Sequence, residues 1–250
     1  MDWVKSFYTK QNEWCGVYSG EPSDDDQQQM RDLARVIGPG PKHLLELGAG
    51  GGQRAAAAAM QGHTVVAVEL LAPLAANAQR LAARMDAGAL TVIQADFYTV
   101  ALDRTFDAVC YWDGFGVGSD ADQHRLLCRI AEWLKPGGRA VIDISTPWFW
   151  QYAHGQQMQR GAALRKYTYD VHESRLIDTW WPVDQPEQAV AQSLRCYAPA
   201  DLRLLLQDTG LQLVAVEPGG AVVYEEQRFV PQAPLEQAMV YRAVLMHTQP

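Results

Sequence analysis

A run of strand formers, His43 to Leu47, ends in Gly48-Ala49-Gly50-Gly51-Gly52 and opens directly into an alanine-rich stretch, Ala55 to Ala59. That junction constrains the fold more than any other segment. Glycine lets the backbone turn sharply and approach a ligand closely, and a helix that follows aims unpaired N–H groups at whatever lies in the turn. A second apolar run from Thr64 ends in Glu69. A carboxylate at the tip of the second strand of a βαβ unit is placed to accept hydrogen bonds from ribose hydroxyls. Together the two features predict an adenosine-containing ligand. Its class stays open at this level: Gly48, Gly50 and Gly52 read as G-x-G-x-G, while Gly50, Gly52 and Ala55 also satisfy the dinucleotide fingerprint G-x-G-x-x-G/A.

From residue 43 to residue 145 strand-like and helix-like runs alternate, the pattern of a doubly wound, mostly parallel α/β sheet. Helix 53–60 is closed by Gly62, helix 73–84 starts on Pro73, and strand 90–95 ends in Asp96-Phe97. Strand 106–112 ends in Asp113, Ser119-Asp120 caps the next helix, Lys135-Pro136-Gly137-Gly138 stops it, and strand 140–144 follows. The pattern then changes. Aromatic-rich segments 166–170, 175–181 and 189–197 predict antiparallel strands, so 147–197 is expected to form an inserted β-rich cap. Helix 199–207 and strands 212–216, 221–224 and 239–246 complete the chain. One domain over 1–250 is expected, with 1–40 as an N-terminal helical lid.

With 21 basic and 29 acidic residues, a net charge of −8 and no Lys/Arg cluster, the chain is a poor candidate for a nucleic-acid partner. A small-molecule acceptor fits better. Cys15, Cys110, Cys128 and Cys196 are scattered without zinc-type spacing, which predicts reduced thiols and no metal site. No basic leader with an apolar core and no bilayer-length apolar run is present, so the expectation is a cytoplasmic protein with no membrane partner.

At this point the chain resembles the class I S-adenosylmethionine-dependent methyltransferases. Leu45-Glu46-Leu47-Gly48-Ala49-Gly50 looks like the first motif, Glu69 like the acidic residue of the second strand, and Gln94-Ala95-Asp96-Phe97 like the third. Phe106 through Trp112 is similar to the fourth strand and Leu134-Lys135-Pro136-Gly137-Gly138 to the turn before the fifth. Residues 195–202 and 241–245 add weaker likenesses. The resemblance implies a Rossmann-like sheet with an antiparallel last strand, S-adenosylmethionine as cofactor and S-adenosylhomocysteine as product. It assigns Glu46, Gly48, Ala49 and Gly50 to the methionine portion, Glu69 to the ribose, and Leu70, Asp96 and Phe97 to the adenine. Trp112 joins them on the fourth strand, and Trp14 and Tyr18 are implied lid contacts. Gly51-Gly52 departs from the threonine or serine many relatives carry, leaving backbone donors only. A nicotinamide-binding domain has no reason to place Asp96 and Lys-Pro-Gly-Gly where they stand, which favours a methyltransferase over an oxidoreductase. A non-catalytic adenosyl-ligand-binding protein is the third reading.

Methyl transfer from a sulfonium is an in-line displacement, so positioning of the nucleophile dominates and a base serves only to free a lone pair. Asp113 and His154 are the candidate catalytic groups, Asp113 because strand ends of open α/β sheets carry ligand sites, His154 because imidazole titrates near neutral pH. Each has a plainer reading, a turn-capping carboxylate and a surface histidine. Trp150, Tyr167, Tyr169 and Trp180 are candidates to line an acceptor pocket or to form the cap's own core. The expected activity is methylation at N or O of a small metabolite.

Overall fold

The computed structural model describes residues 2–248. Helices α1 (Asp2–Cys15) and α2 (Asp24–Ile37) precede the alternating series β1 (His43–Leu47), α3 (Gln53–Met60), β2 (Thr64–Glu69), α4 (Ala72–Ala82), β3 (Leu90–Gln94), β4 (Phe106–Tyr111), α5 (Asp120–Trp133) and β5 (Leu134–Ser145). Then come α6 (Pro147–Tyr152), the strands β6 (Gln157–Arg160), β7 (Ala163–Asp170), β8 (Arg175–Pro182) and β9 (Val190–Arg195), and α7 (Pro199–Leu205). The last strands are β10 (Leu211–Pro218), β11 (Ala221–Val223), β12 (Arg228–Val230) and β13 (Val240–His247).

Seven strands form the main sheet in the order β10-β13-β5-β4-β1-β2-β3. β1 runs parallel to both β2 and β4, and β13 is antiparallel to both β5 and β10. Chain order therefore proceeds outward from β1 to β3 on one side and from β4 to β5 on the other. A crevice opens at such a reversal, beyond the carboxyl ends of the strands, and that is where sheets of this kind bind ligands. After its first residue β1 is continuously buried, as is β2, because helices cover both faces. On one face α2 and α3 pack Met30, Leu33 and the five alanines Ala55 to Ala59 against the sheet; on the other Leu126, Leu127 and Ile130 of α5 meet Leu202 of α7. Small residues on α3 let it lie close to the strands. Ser23 and Ser119 close capping boxes with Asp26 and Asp122, which accounts for where α2 and α5 begin.

Between β5 and α7 a separate four-stranded antiparallel sheet, β6-β7-β8-β9, stands over the carboxyl edge. Its strands alternate, with Leu176, Asp178 and Trp180 of β8 turned inward. Four differences from the sequence reading stand out. Residues Pro147–Tyr152 are helical, since Pro147 at the first turn sets a helical φ and Phe149 and Trp150 bury on one side. β6 is an added strand whose Gln-rich sequence carries no apolar alternation. β11 pairs with β12 in its own hairpin and takes no part in the main sheet. The Lys135–Gly138 segment lies within β5 as a bulge, the register stepping from Phe106↔Leu134 to Ala108↔Arg139.

Candidate active site

Gly48 and Gly50 follow β1 with φ of 60° and 55°, in the left-handed region open to glycine. A Cβ on Gly50 would lie 2.8 Å from the Tyr18 ring. The sequence reading assigned that space to a ligand; an N-terminal tyrosine fills it. Gly52, also at positive φ, permits close contact of α3 with α4, because its Cβ would sit 2.5 Å from that of Ala78.

Glu69 ends β2 inside this turn. Its Oε2 accepts from the Gly50 N–H at 2.7 Å and its Oε1 from the Leu71 N–H at 2.8 Å, so the carboxylate clips the glycine turn to the second strand. Burial pushes its pKa up, and the backbone donors pull against that rise. Each oxygen keeps a lone pair for a hydroxyl donor. At the end of β3, Asp96 accepts from the Tyr98 N–H at 2.8 Å and lines the same cavity with Leu70 and Phe97.

A more polar wall continues along the tips of β1, β4 and β5. Glu46 is buried, with its pKa pushed up to about 8, chiefly by desolvation and against the pull of Arg54. Asp143 is pushed up to about 6 by the same cause, partly offset by Arg242, whose Nε lies 3.3 Å away. Between them Trp112 sits with the guanidinium of Arg54 at 5.8 Å and that of Arg242 at 5.1 Å from its ring. Asp113 follows at φ 57°, a left-handed conformation that costs a non-glycine residue about 1 kcal/mol or more. Arg54 Nη1 holds its carboxylate at 3.2 Å, and Arg54 Nε lies 3.7 Å from Asp26 of α2.

The N-terminal segment and the small sheet close the cavity from above. Tyr8 on α1 donates to Gln192 Oε1 at 3.0 Å, and Gln192 Nε2 donates to Asp178 at 3.2 Å. Asp178, fully buried, also accepts from Arg165 Nε at 3.2 Å and Trp180 Nε1 at 2.9 Å. The chain joins α1 to β9 and β8 through hydrogen bonds that all find partners. The cavity has a volume of about 940 Å3.

Eleven of the thirteen residues singled out from the sequence line this cavity: Glu46, Gly48, Ala49, Gly50, Glu69, Leu70, Asp96, Phe97, Trp112, Asp113 and Tyr18. Two do not. Trp14 packs with Phe7, Ala163 and Trp180, docking α1 on the cap sheet rather than facing a ligand. His154 is exposed in the turn after α6, where its Nδ1 accepts from the Tyr169 N–H at 3.0 Å, so its ring fixes a turn and stands outside the cavity. Sequence reasoning missed Arg54, Asp143 and Gln192, and raised Tyr8 only as one of several N-terminal aromatics without placing it in the site. Val4, Tyr8 and Gln11 recur at helical spacing on α1, and Asp143 interrupts the apolar run of β5; both signals were legible.

A glycine turn that excludes side chains, an acidic group with spare lone pairs at each of two successive strand ends, and a cavity of this size fit the methionine, ribose and adenine of S-adenosylmethionine. Residues 44–138 match the family model described as a methyltransferase domain. The cypemycin N-terminal methyltransferase of a Streptomyces species is 27% identical over 191 residues, covering 70% of this chain and 74% of its own. Among solved structures, the CcbJ methyltransferase from Streptomyces caelestis superposes with a TM-score of 0.71 at 21% identity, covering 91% of both chains. The glycopeptide N-methyltransferase MtfA in complex with S-adenosyl-L-methionine gives a TM-score of 0.59 at 19% identity over 89% of this chain and 87% of its own. The ordered motifs, the methyltransferase domain matched over residues 44–138 and the cofactor-sized crevice together support a class I S-adenosylmethionine-dependent methyltransferase.

Proposed function

We propose that the chain methylates an amine nitrogen of a small metabolite or peptide, with 1–40 acting as lid and 147–197 as acceptor-binding cap. One observation carries this reading: the tips of β4 and β5 present Asp113 and Asp143 to the cavity, Glu46 of β1 beside them keeps its proton at neutral pH, and no histidine lines the cavity among the described residues. Carboxylates attract an ammonium group and can take its proton, whereas a hydroxyl acceptor is a far weaker acid and is poorly matched to a carboxylate base. The relatives named for N-terminal and glycopeptide N-methylation support the same direction.

The glycine turn, Glu69 and Asp96 hold the cofactor, which when bound supplies an electrophilic methyl group on a sulfonium. Asp113, its side chain 70% exposed, receives the ammonium and passes its proton to water. Arg54 is a positioning residue, fixing Asp113 and tying α3 to α2. Trp112, its ring against the guanidinium groups of Arg54 and Arg242, and Tyr18 line the cavity beside Asp113. The cap excludes water while the nitrogen is held in line, the geometry on which such displacements depend.

Incubation with S-adenosylmethionine and matched pairs of amines and alcohols, read by mass spectrometry, tests the proposal. Methyl groups on nitrogen are expected, with turnover reduced at least ~10-fold in Asp113→Asn. Methylation confined to oxygen would sink it.

A further inference from the structure

On its cap side the cavity carries hydrogen-bond donors that the protein leaves unanswered. Trp150 is 6% exposed and lines the cavity, and its Nε1–H is buried with no acceptor among the described residues. Its ring packs 5.0 Å from that of Tyr167, which is 3% exposed and lines the cavity as well. The Tyr167 hydroxyl reaches only the Met158 sulfur, at 4.0 Å. A thioether is a weak acceptor, so both donors keep most of their capacity. Buried donors are nearly always paired, and a pair left open on a cavity wall points to a ligand that supplies the acceptor.

Charge on this wall has the matching sign. Arg160, at the end of β6, lines the cavity with no carboxylate partner among the described residues, and its field acts on the hydroxyls of both Tyr18 and Tyr167. Arg165 differs, because Asp178 neutralises it. At the sheet's carboxyl edge the same cavity is lined by Asp113 and Asp143, which pair with Arg54 and Arg242. A neutral carbonyl would satisfy Trp150 and Tyr167 and leave Arg160 unanswered. A carboxylate, with two oxygens and about four lone-pair sites, can answer all three.

We propose that Arg160, Tyr167 and Trp150 form a carboxylate subsite, so that the acceptor carries a carboxylate distal to the atom that is methylated. The distal position rests on the proposed function, which sets the attacked nitrogen at Asp113; the subsite stands on the cap's own donors. The probe is glycyl-phenylalanine, compared with its carboxamide, titrated calorimetrically into protein saturated with S-adenosylhomocysteine so that no turnover is required. The free acid is expected to bind at least ~10-fold more tightly than the amide. Arg160→Gln should erase most of that preference, Arg160→Lys should keep part of it, and Tyr167→Phe should weaken it, while the affinity for S-adenosylhomocysteine changes little in each. Equal binding of acid and amide, no binding of either at millimolar concentration, or a preference that survives Arg160→Gln overturns the subsite. Failure of the amine reading looks different: the acid is preferred and lost with Arg160, yet no methyl group appears on its nitrogen when S-adenosylmethionine is supplied.

Discussion

Replacing Glu46 by glutamine removes one buried ionisable group and leaves its shape nearly unchanged. In the folded protein burial raises the Glu46 pKa from 4.5 to about 8. Between those values the unfolded chain ionises while the folded chain keeps its proton, so the native state binds more protons and stability falls as pH rises through the window. Glutamine has no such loss. At ~1.4 kcal/mol for each pH unit, the interval from 4.5 to about 8 sets a ceiling of about 5 kcal/mol. Cavity water and relaxation around Arg54 reduce that figure, and about 2 to 3 kcal/mol is expected. Urea unfolding of both proteins from about pH 5 to about pH 9 measures it. The two should be nearly equally stable at the acid end, with the advantage of Glu46→Gln growing to a plateau above about pH 8. Asp143, raised to about 6, titrates in both proteins and largely cancels from the difference. A difference that stays constant across the range would mean that Glu46 ionises normally and that the wall it shares with Arg54 is well solvated.

Gly50→Ala places a Cβ within 2.8 Å of the Tyr18 ring at a left-handed φ, so S-adenosylhomocysteine affinity should fall at least ~10-fold while circular dichroism is retained. Normal affinity would show that neither the turn nor Tyr18 shapes the site. Asp178→Leu leaves Arg165 uncompensated and Gln192 and Trp180 short of an acceptor, and should cost about 3 to 5 kcal/mol by urea denaturation; a loss under ~1 kcal/mol would contradict the buried network. His154→Ala removes the acceptor of the Tyr169 N–H, for about 1 kcal/mol of stability, and should leave the pH dependence of kcat untouched. Disappearance of an imidazole-like limb from that profile would restore His154 to the reaction.

The α/β half was readable because each signal there is local. A glycine cluster after an apolar run, an acidic strand end and Ser-x-x-Asp at two helix starts each specify a conformation within a few residues. The residues expected to hold the cofactor sit on those same turns and line the cavity. The cap yielded its strands but not its meaning. Alternation assigns two faces without saying which is buried, so Trp150 and Tyr167 on the cavity could not be separated from Phe149, Tyr169 and Trp180 in the cap's interior. Asp178 illustrates the same limit. An acidic residue in a strand reads as solvent-facing until Arg165, Trp180 and Gln192 are seen to converge on it. Arg54 was invisible for a related reason, because its partners Asp26 and Asp113 lie far from it in sequence and on different elements. His154 was chosen for its side-chain type alone, and the structure places it outside the cavity with a ring nitrogen held by a turn backbone.

Calorimetric titration of S-adenosylhomocysteine into the wild-type protein and into Glu69→Ala and Asp96→Ala tests the central claim most directly, because these two carboxylates, at the end of β2 and just beyond β3, both line the cofactor crevice. Saturable one-to-one binding is predicted for the wild type, weakened ~10-fold or more by each substitution as a charge-assisted hydrogen bond of about 1.5 to 3 kcal/mol is lost. Unchanged affinity in both variants, with their folding verified by circular dichroism, would contradict the assignment and move the cofactor to another part of the molecule.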